Sequence, residues 1–550
     1  MTKPLYRRPA FWAPVLIILS LAGGIGIGML TGRHSSGVNP KLEKIQNMLG
    51  IIEENYVDEL DLDSMLEKAI PDIIAQLDPH SEYITANDLK AFNEDISGSF
   101  SGVGISFNML TDTITVLEII SGGPAEKVGM LAGDRIVTIN DTVVTDQDWN
   151  DRQVMSRLRG PKNTTVKLGV RRDTSPELLY FTVTRDDIPV NSVDAAYMID
   201  SNTGYIKINK FAQTTFSETL TALTQLRNEG ARQYIIDLRG NGGGLVSEVE
   251  LIANELLSQG ETIVSMKGRI PQINQQAVAT GSGSYRNEPL VILIDEFSAS
   301  ASEILAGAIQ DNDRGLVIGR RSFGKGLVQD VVNLPDGSAL KLTVARYYTP
   351  SGRCIQKTYT MGNKDAYDSD LIDRFNRGEA LNADSIHLDR SMVYTTAGGR
   401  EVYGGGGIMP DIFVANDTTG ISDYYIKVFN AGLLQKYAFN YTDANRTALS
   451  DIEDLDALMA ALPSDDQLLS SFVEYARTEG KVVPRWYYIN LSRDLIVSQL
   501  KALIARDVLG ISASYQVSNL TDPTVQEALK QLRQGYVMKP ETLTSTPSEK

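Results

Sequence analysis

The chain is predicted to be a multidomain protein of mixed β and α/β class with a helical C-terminal part, and three features predict this. Short alternating apolar runs punctuated by glycine fill residues 96–187, the pattern of a compact β domain. Within 188–417, buried-type strands such as 233–238 and 290–295 alternate with helical segments, which predicts a mixed sheet covered by helices. After about residue 420, apolar residues recur at helical spacing. At 550 residues the chain exceeds one ordinary core, so several folding units are expected.

In chain order, residues 1–36 come first. Lys3, Arg7 and Arg8 precede an uncharged run over 9–32 that ends at Arg33. A run of this length predicts a transmembrane anchor with its basic flank in the cytoplasm and the rest of the chain outside. A cleaved signal peptide is the competing reading, which would make the protein secreted. Residues 37–95 read as helical: Leu42, Ile45, Met48, Leu49, Ile52 and Tyr56 share one face, and Met65, Leu66, Ala69, Ile70, Ile73 and Leu77 repeat it. Pro79 stops that unit, and His80 reads as a turn or capping residue.

The β domain begins with the glycine loop Gly102-Val103-Gly104, running into a strand at Ile105. Further strands are expected at 114–120 and 166–171, with a short helix, a turn and a strand over 123–140. In the α/β part, strands are expected at 204–211, 233–238, 290–295, 316–319 and 340–348. Helices are expected at 218–228 with Ser217 as N-cap, at 245–257 and at 301–309. Sites in such sheets lie beyond the carboxyl ends of the strands. Both Gly240-Asn-Gly-Gly-Gly244 and Ser298-Ala-Ser-Ala-Ser302 directly follow a buried strand, so they are expected to face one crevice. Residues 357–395 are polar and poorly periodic and read as a surface excursion, and 404–412 returns to the core. The remainder, 418–550, is a helical region ending in a disordered tail rich in Thr, Ser and Pro.

Composition narrows the function. A net charge of −17 argues against a nucleic-acid partner, which would call for a basic face. The single cysteine, Cys354, excludes an intramolecular disulfide and a cysteine-based metal cluster, and reads as a packing residue. No metal-binding motif is present, and the glycine-rich runs lack the lysine and context of a nucleotide loop. Neither metal nor cofactor is expected.

Ser298, Ser300 and Ser302 sit just ahead of a helical pattern, and Lys325 follows between two glycines, with Gln329 further along the same segment. A serine hydroxyl is a poor nucleophile until a base takes its proton. The three histidines, His34, His80 and His387, lie outside any triad-like motif. A buried lysine can serve instead, because desolvation favours the neutral amine. The residue pattern alone does not choose among the three serines. Asp237 and Arg239 read as a charge pair bracing the glycine loop. That loop looks like the nucleophile loop of trypsin-like proteases without its serine, but no His and Asp accompany it.

Taken in order, LDPHSEY (77–83), the glycine-loop β domain, DLRGNGGG (237–244), SASASE (298–303), FGKGLVQ (323–329), TPSGR (349–353) and GGIMPD (406–411) resemble the C-terminal processing peptidases, or tail-specific proteases. The resemblance covers about residues 40–417. It implies that 96–187 is a PDZ domain capturing a free carboxyl terminus through Gly102, Val103, Gly104 and Ile105, and that 188–417 is a peptidase core. It selects Ser300 as nucleophile and Lys325 as base, with Gln329 orienting the lysine and the N–H groups of Gly243 and Ala301 holding the oxyanion. The implied function is a serine endopeptidase acting outside the cytoplasm, from an inner-membrane anchor, on proteins or peptides with free C-termini, as a possible homo-oligomer. The alternatives are a non-catalytic PDZ scaffold and a chaperone on a peptidase fold. The intact Ser/Lys/Gln set weighs against the scaffold.

Overall fold

The computed structural model describes residues 40–109, 113–120, 122–145, 149–172, 175–387 and 389–536. The apolar run over 9–32 and the last dozen residues, expected as anchor and tail, lie outside them. Among the described residues no helix is long and apolar enough to cross a membrane. Among the described residues, those up to 72 form one compact unit, in which the expected first helix is Pro40–Asn55, and those from 73 onward form a second.

The second unit opens with a departure from the expected all-helical reading. Residues 82–84 form a short strand, Glu82–Ile84, paired antiparallel with Ala339–Tyr348, before the helix Ala86–Ser97. Three residues are too few to show a period of two, so this strand was invisible in the pattern. The small β domain follows. Its antiparallel sheet runs Ile105–Asn108, Ile114–Ile119, Arg135–Ile139, Thr165–Arg171, Leu179–Thr184, and a separate pair, Ser99–Gly102 with Asp186–Pro189, closes its base. Inward-facing Ile114, Val116, Ile136, Val166, Leu168 and Val170 build its core with Val154 and Leu158 of the helix Asp151–Leu158.

The larger core is a six-stranded sheet in spatial order β1 (Val193–Met198), β2 (Thr203–Ile208), β3 (Gln233–Asp237), β4 (Leu290–Ile294), β5 (Leu316–Gly319) and β6 (Ile412–Phe413). β1 is antiparallel to β2 and the other pairs are parallel. The central strands are apolar on both faces, as a sheet covered on both sides requires. Ile206, Ile236, Ile292 and Val317 face the helices α1 (Thr215–Glu229), α2 (Val246–Leu256) and α3 (Ala301–Asp311). Tyr205, Ile235, Val291, Leu293 and Ile318 face the other way. A second sheet, all antiparallel, joins Glu82–Ile84, Thr262–Gly268, Gln275–Val278, Leu327–Asn333 and Ala339–Tyr348.

Two local expectations are corrected. α1 starts earlier than read, with Thr214 at its N-cap position, and Ser217 lies inside its first turn, donating to Thr214 O. The stretch 357–395 is more than an excursion. It contains α4 (Lys364–Asn376), whose buried residues are Tyr367 and Arg374. A helix whose inward face is a tyrosine and an arginine has no apolar period to read.

The C-terminal region is helical from Asp423 onward, around its own apolar core of Val428, Leu434, Leu468, Phe472, Ile496 and Leu500. Its last described helix, α5 (Pro523–Gln534), leaves that core. Val525, Ala528, Leu529 and Leu532 pack on the second face of the six-stranded sheet. The end of the region expected as an appendage is therefore a layer of the α/β domain.

Candidate active site

The serine turn follows β4. Ser298 and Ser302 are committed to holding it: Ser298 Oγ donates to Leu238 O at 2.9 Å and accepts from Asp295 N–H at 2.9 Å, and Ser302 Oγ donates to Asn241 O at 2.9 Å. Ser300 is different. It sits just before α3 with φ 56° and ψ −113°, and its hydroxyl lies in a capping box with Glu303 and is not spent on a carbonyl as the other two are. A non-glycine residue at positive φ is strained, and such strain persists only where the surroundings over-determine it. Here they do, because Glu303 accepts Ser300 N–H at 2.9 Å from inside a wholly buried helix.

Ala301 is the first residue of α3, so its N–H has no acceptor within the helix. The helix dipole adds to the preference for negative charge at this spot. Gly243 lies against both residues. A Cβ on it would stand 2.8 Å from Ser300 Cβ and 3.0 Å from Ala301 N, so only glycine fits. The N–H of Gly243 donates to Asn241 Oδ1 at 2.8 Å. The two expected oxyanion donors thus lie side by side, one open and one engaged.

The lysine segment meets the serine turn at Glu303. This carboxylate is fully buried and accepts four hydrogen bonds: from Ser300 N–H, from Lys325 N–H and Gly324 N–H at 2.8 Å each, and from the Ser322 hydroxyl. One side chain therefore fixes the backbones of both expected dyad members. Burial raises its pKa, and the four donors counter that. Burial lowers the Lys325 ammonium from its ordinary value to about 8, with the nearby charge of Lys341 adding to the effect. Gly326 is needed for packing: a Cβ there would meet Gln356 N at 2.7 Å. Gln329 lies on Leu327–Asn333, and its Nε2 donates to Thr343 Oγ1 at 3.3 Å. Its amide oxygen is the atom able to accept from an ammonium.

The sequence reading missed the residues behind the lysine. Thr343 Oγ1 donates to Asp78 Oδ1 at 2.9 Å, and Ser81 Oγ donates to Asp78 Oδ2 at 2.5 Å, so the LDPHSEY turn is the floor under Gln329. His80, read as a turn residue, is half-buried beside Lys325. Burial first and the lysine's charge second push its pKa down to about 3, which keeps it neutral. Its Nε2 hydrogen-bonds Tyr367 Oη at 2.8 Å. Gln356 Nε2 donates to that same hydroxyl at 3.3 Å, and Gln356 Oε1 accepts Gly326 N–H at 2.8 Å. Arg374 donates to the carbonyls of Ser322 and Arg321 at 3.0 and 2.9 Å. α4 thus supplies both Tyr367 and Arg374 to the lysine segment. The position of LDPHSEY in the motif series was the only signal for His80, and Tyr367 had none.

In the small β domain, Ile105–Asn108 is an edge strand, paired on one side only. Between it and the helix Asp151–Leu158 lies a groove of about 240 Å³. Gly102, Val103, Gly104 and Ile105 line it, opposite Met155 and Leu158. An open strand edge beside an apolar groove can accept an extended peptide. Elsewhere, among the described residues, no group of His, Cys, Asp and Glu is placed to hold a metal ion. Cys354 is partly buried, and burial raises its thiol pKa.

Comparison with known proteins finds relatives of the same family. Residues 202–363 match the model of peptidase family S41, residues 101–193 that of the PDZ domain, and residues 424–510 a family of unknown function, DUF8443. The carboxy-terminal-processing protease of Bartonella bacilliformis is 34% identical over 331 residues, 60% of this chain and 75% of its own length. The carboxy-terminal processing protease CtpA of Bacillus subtilis is 33% identical over 334 residues, 60% of this chain and 70% of its own. Among solved structures, the photosystem II D1 C-terminal processing protease is similar at 30% identity and a TM-score of 0.32, over 56% of this chain and 89% of its own.

Proposed function

We propose that this chain, which belongs to the carboxy-terminal processing proteases of peptidase family S41 and is a serine-type peptidase with a PDZ domain, cleaves substrate proteins through a Ser300–Lys325 dyad after its PDZ groove has bound their free carboxyl termini. The observation that carries the reading is a serine in a strained turn, its hydroxyl not spent on a carbonyl, together with a lysine of depressed pKa, the backbones of both held by Glu303.

In this mechanism neutral Lys325 Nζ takes the proton of Ser300 as Oγ adds to the scissile carbonyl carbon. The carbonyl oxygen becomes an oxyanion held by Ala301 N–H, and by Gly243 N–H once its bond to Asn241 opens. Collapse breaks the C–N bond, and Lys325 returns the proton to the leaving amine. Water then adds to the acyl-enzyme with Lys325 again as base, releasing the acid and regenerating the serine. Gln329 orients the lysine through its amide oxygen.

Two finer parts of the reading have their own tests. Amidating the C-terminus of an unstructured substrate is expected to raise KM at least about tenfold if the PDZ groove reads the carboxylate, and unchanged KM sinks that part. The apolar run over 9–32 with its basic flank supports an inner-membrane anchor and a periplasmic catalytic part. Carbonate-resistant membrane association of the full chain, lost on deleting 1–36, is the expected result, and extraction with soluble proteins would contradict it. The dyad is tested by cleavage of a protein with a free apolar C-terminus, using wild type, Ser300→Ala and Lys325→Ala. Activity surviving in either folded variant refutes it.

A further inference from the structure

We infer that Asp522, at the start of α5 in the C-terminal region, is a positioning residue for the glycine loop that lies against Ser300, so that this helix is part of the catalytic apparatus. The inference rests on the dyad reading above for its consequence in turnover, but the contacts that carry it stand on their own.

The argument starts from charge. Asp237, at the end of β3, is buried and faces two cations: Arg239 Nη2 at 2.6 Å and Lys207 Nζ at 3.6 Å. Tyr205 Oη donates to the same carboxylate at 2.7 Å. Burial would raise the Asp237 pKa, but Arg239 and Lys207 outweigh it and hold the carboxyl below its ordinary range. Lys207 has a second carboxylate within electrostatic reach, Asp194, whereas Arg239 turns Nη1 away from Asp237. The anion that meets it there comes from far along the chain. Asp522 Oδ2 accepts Arg239 Nη1 at 2.8 Å.

Arg239 is also where the glycine loop begins. Lys207 Nζ donates to its carbonyl, and the next N–H, of Gly240, donates to Asp295 Oδ1 at 2.9 Å. One residue further, Asn241 O accepts Ala299 N–H at 3.0 Å and Ser302 Oγ at 2.9 Å, which ties the loop to both sides of Ser300. Asn241 Oδ1 holds Gly243 N–H. The path from Asp522 to the nucleophile turn is thus Arg239, one glycine, then Asn241, with no flexible side chain after the arginine.

The same carboxylate has a second task, which decides how to test the first. Asp522 Oδ1 accepts Thr524 N–H and Val525 N–H at 2.9 Å each, capping α5. Asparagine caps as well as aspartate, so Asp522→Asn keeps the cap, while the amide nitrogen that then faces Arg239 Nη1 neither carries charge nor accepts. α5 itself stays docked through Val525, Ala528, Leu529 and Leu532. A polar cavity of about 340 Å³ lined by Lys207, Asp237, Arg239, Tyr515 and Asp522 adjoins the cluster. Water there can solvate a released arginine. Loss of the charge is therefore expected to relax the loop and leave the fold standing.

The experiment uses the full chain, wild type against Asp522→Asn, with a fluorogenic peptide bearing a free C-terminus and with amide hydrogen exchange. The expected result is a kcat lowered about tenfold with KM changed less than about twofold, as a small displacement of catalytic geometry gives. Exchange of the amides in 239–245 should quicken while α5 keeps its protection. An unchanged kcat with unchanged loop exchange makes Asp522 a cap only and overturns the inference. So does quickened exchange in α5, which would mean the helix came loose. The exchange arm reads the loop even in a chain that cleaves nothing, so a failure of the dyad reading, seen as absent wild-type turnover, is distinguishable from a failure of this one.

Discussion

Ser300 and Lys325 are held to the same carboxylate but are otherwise secured in opposite ways. The serine turn is bonded directly: by Asp295 and Glu303, three residues to either side of Ser298 and Ser300, and by Leu238 and Asn241 of the glycine loop, 60 and 61 positions earlier. The lysine segment is bonded in relays: Gln329 to Thr343 and on to Asp78, 265 positions from that threonine, and Gly326 to Gln356, to Tyr367 and on to His80, 287 positions from that tyrosine. A turn bonded directly by its own side chains keeps its shape when its surroundings shift. A segment supported through relays can be adjusted at each link. Under the proposed dyad, the lysine, whose protonation would have to be tuned, is the member with the adjustable support.

The largest effects should come from the two groups of the proposed dyad, and they should differ in stability. Ser300→Ala and Lys325→Met are each expected to lower kcat/KM at least about 10³-fold. Lys325→Met should also stabilise the protein at pH 7. The folded-state pKa of the lysine lies below its unfolded value, so folding is penalised while the pH is below about 8, and the penalty fades as pH rises toward 10.5. Removing the amine should raise stability at neutral pH by something on the order of 2 kcal/mol in chemical denaturation. A destabilised Lys325→Met would mean that the amine is better paired than its burial implies.

Glu303→Gln tests whether one carboxylate truly joins the two halves. The amide nitrogen cannot accept, so two of the four donors at Glu303 would face an N–H group. About a 10²-fold fall in kcat is expected, together with a loss of about 2 kcal/mol in stability, the usual cost of buried donors left unmade. If stability falls but kcat does not, Glu303 is a packing residue and the halves are joined elsewhere.

The same contrast explains what could be read from the sequence. The four parallel strands β2 to β5, α2, α3 and the glycine and serine loops were legible because long apolar strands and glycine punctuation are local signals, whereas the edge strands β1 and β6 were not read. So was the Asp237–Arg239 brace, whose members are two residues apart. The choice among three serines was not legible from residue types. It depends on which hydroxyls are consumed by carbonyls on another strand's loop, Leu238 and Asn241. Tyr367 and Arg374 were missed because α4 buries polar groups, and hydrophobic periodicity cannot register a helix that docks through a hydroxyl and a guanidinium. Asp522 was missed because its partner is recognised by charge, across 283 positions.

A pH profile sharpens the comparison further. Lys325 must be neutral to accept a proton, so kcat/KM is expected to rise about tenfold per unit below pH 8 and to level off above it. Lys341 contributes to that depression by its charge. Lys341→Gln should therefore move the rising limb to higher pH, lowering activity at pH 7 and leaving the alkaline plateau unchanged. A limb that stays in place would assign the depression to burial alone.

The smallest expected effect is the most specific to the remote support. Tyr367→Phe deletes only the hydroxyl that accepts from Gln356 and hydrogen-bonds His80. Both partners then lose a contact behind Gly326, and an unmade hydrogen bond of this kind costs about 1 kcal/mol, or roughly fivefold in rate if it falls on the transition state. Because His80 is neutral near pH 7, losing its partner changes no charge near Lys325. The fall should therefore appear in kcat, with the rising limb of the pH profile left where it was and KM for a tail peptide unaffected. A shifted limb would instead mean that the tyrosine controls how dry the lysine is, and a full-rate variant would confine the role of α4 to Arg374 and its hold on the carbonyls of Arg321 and Ser322.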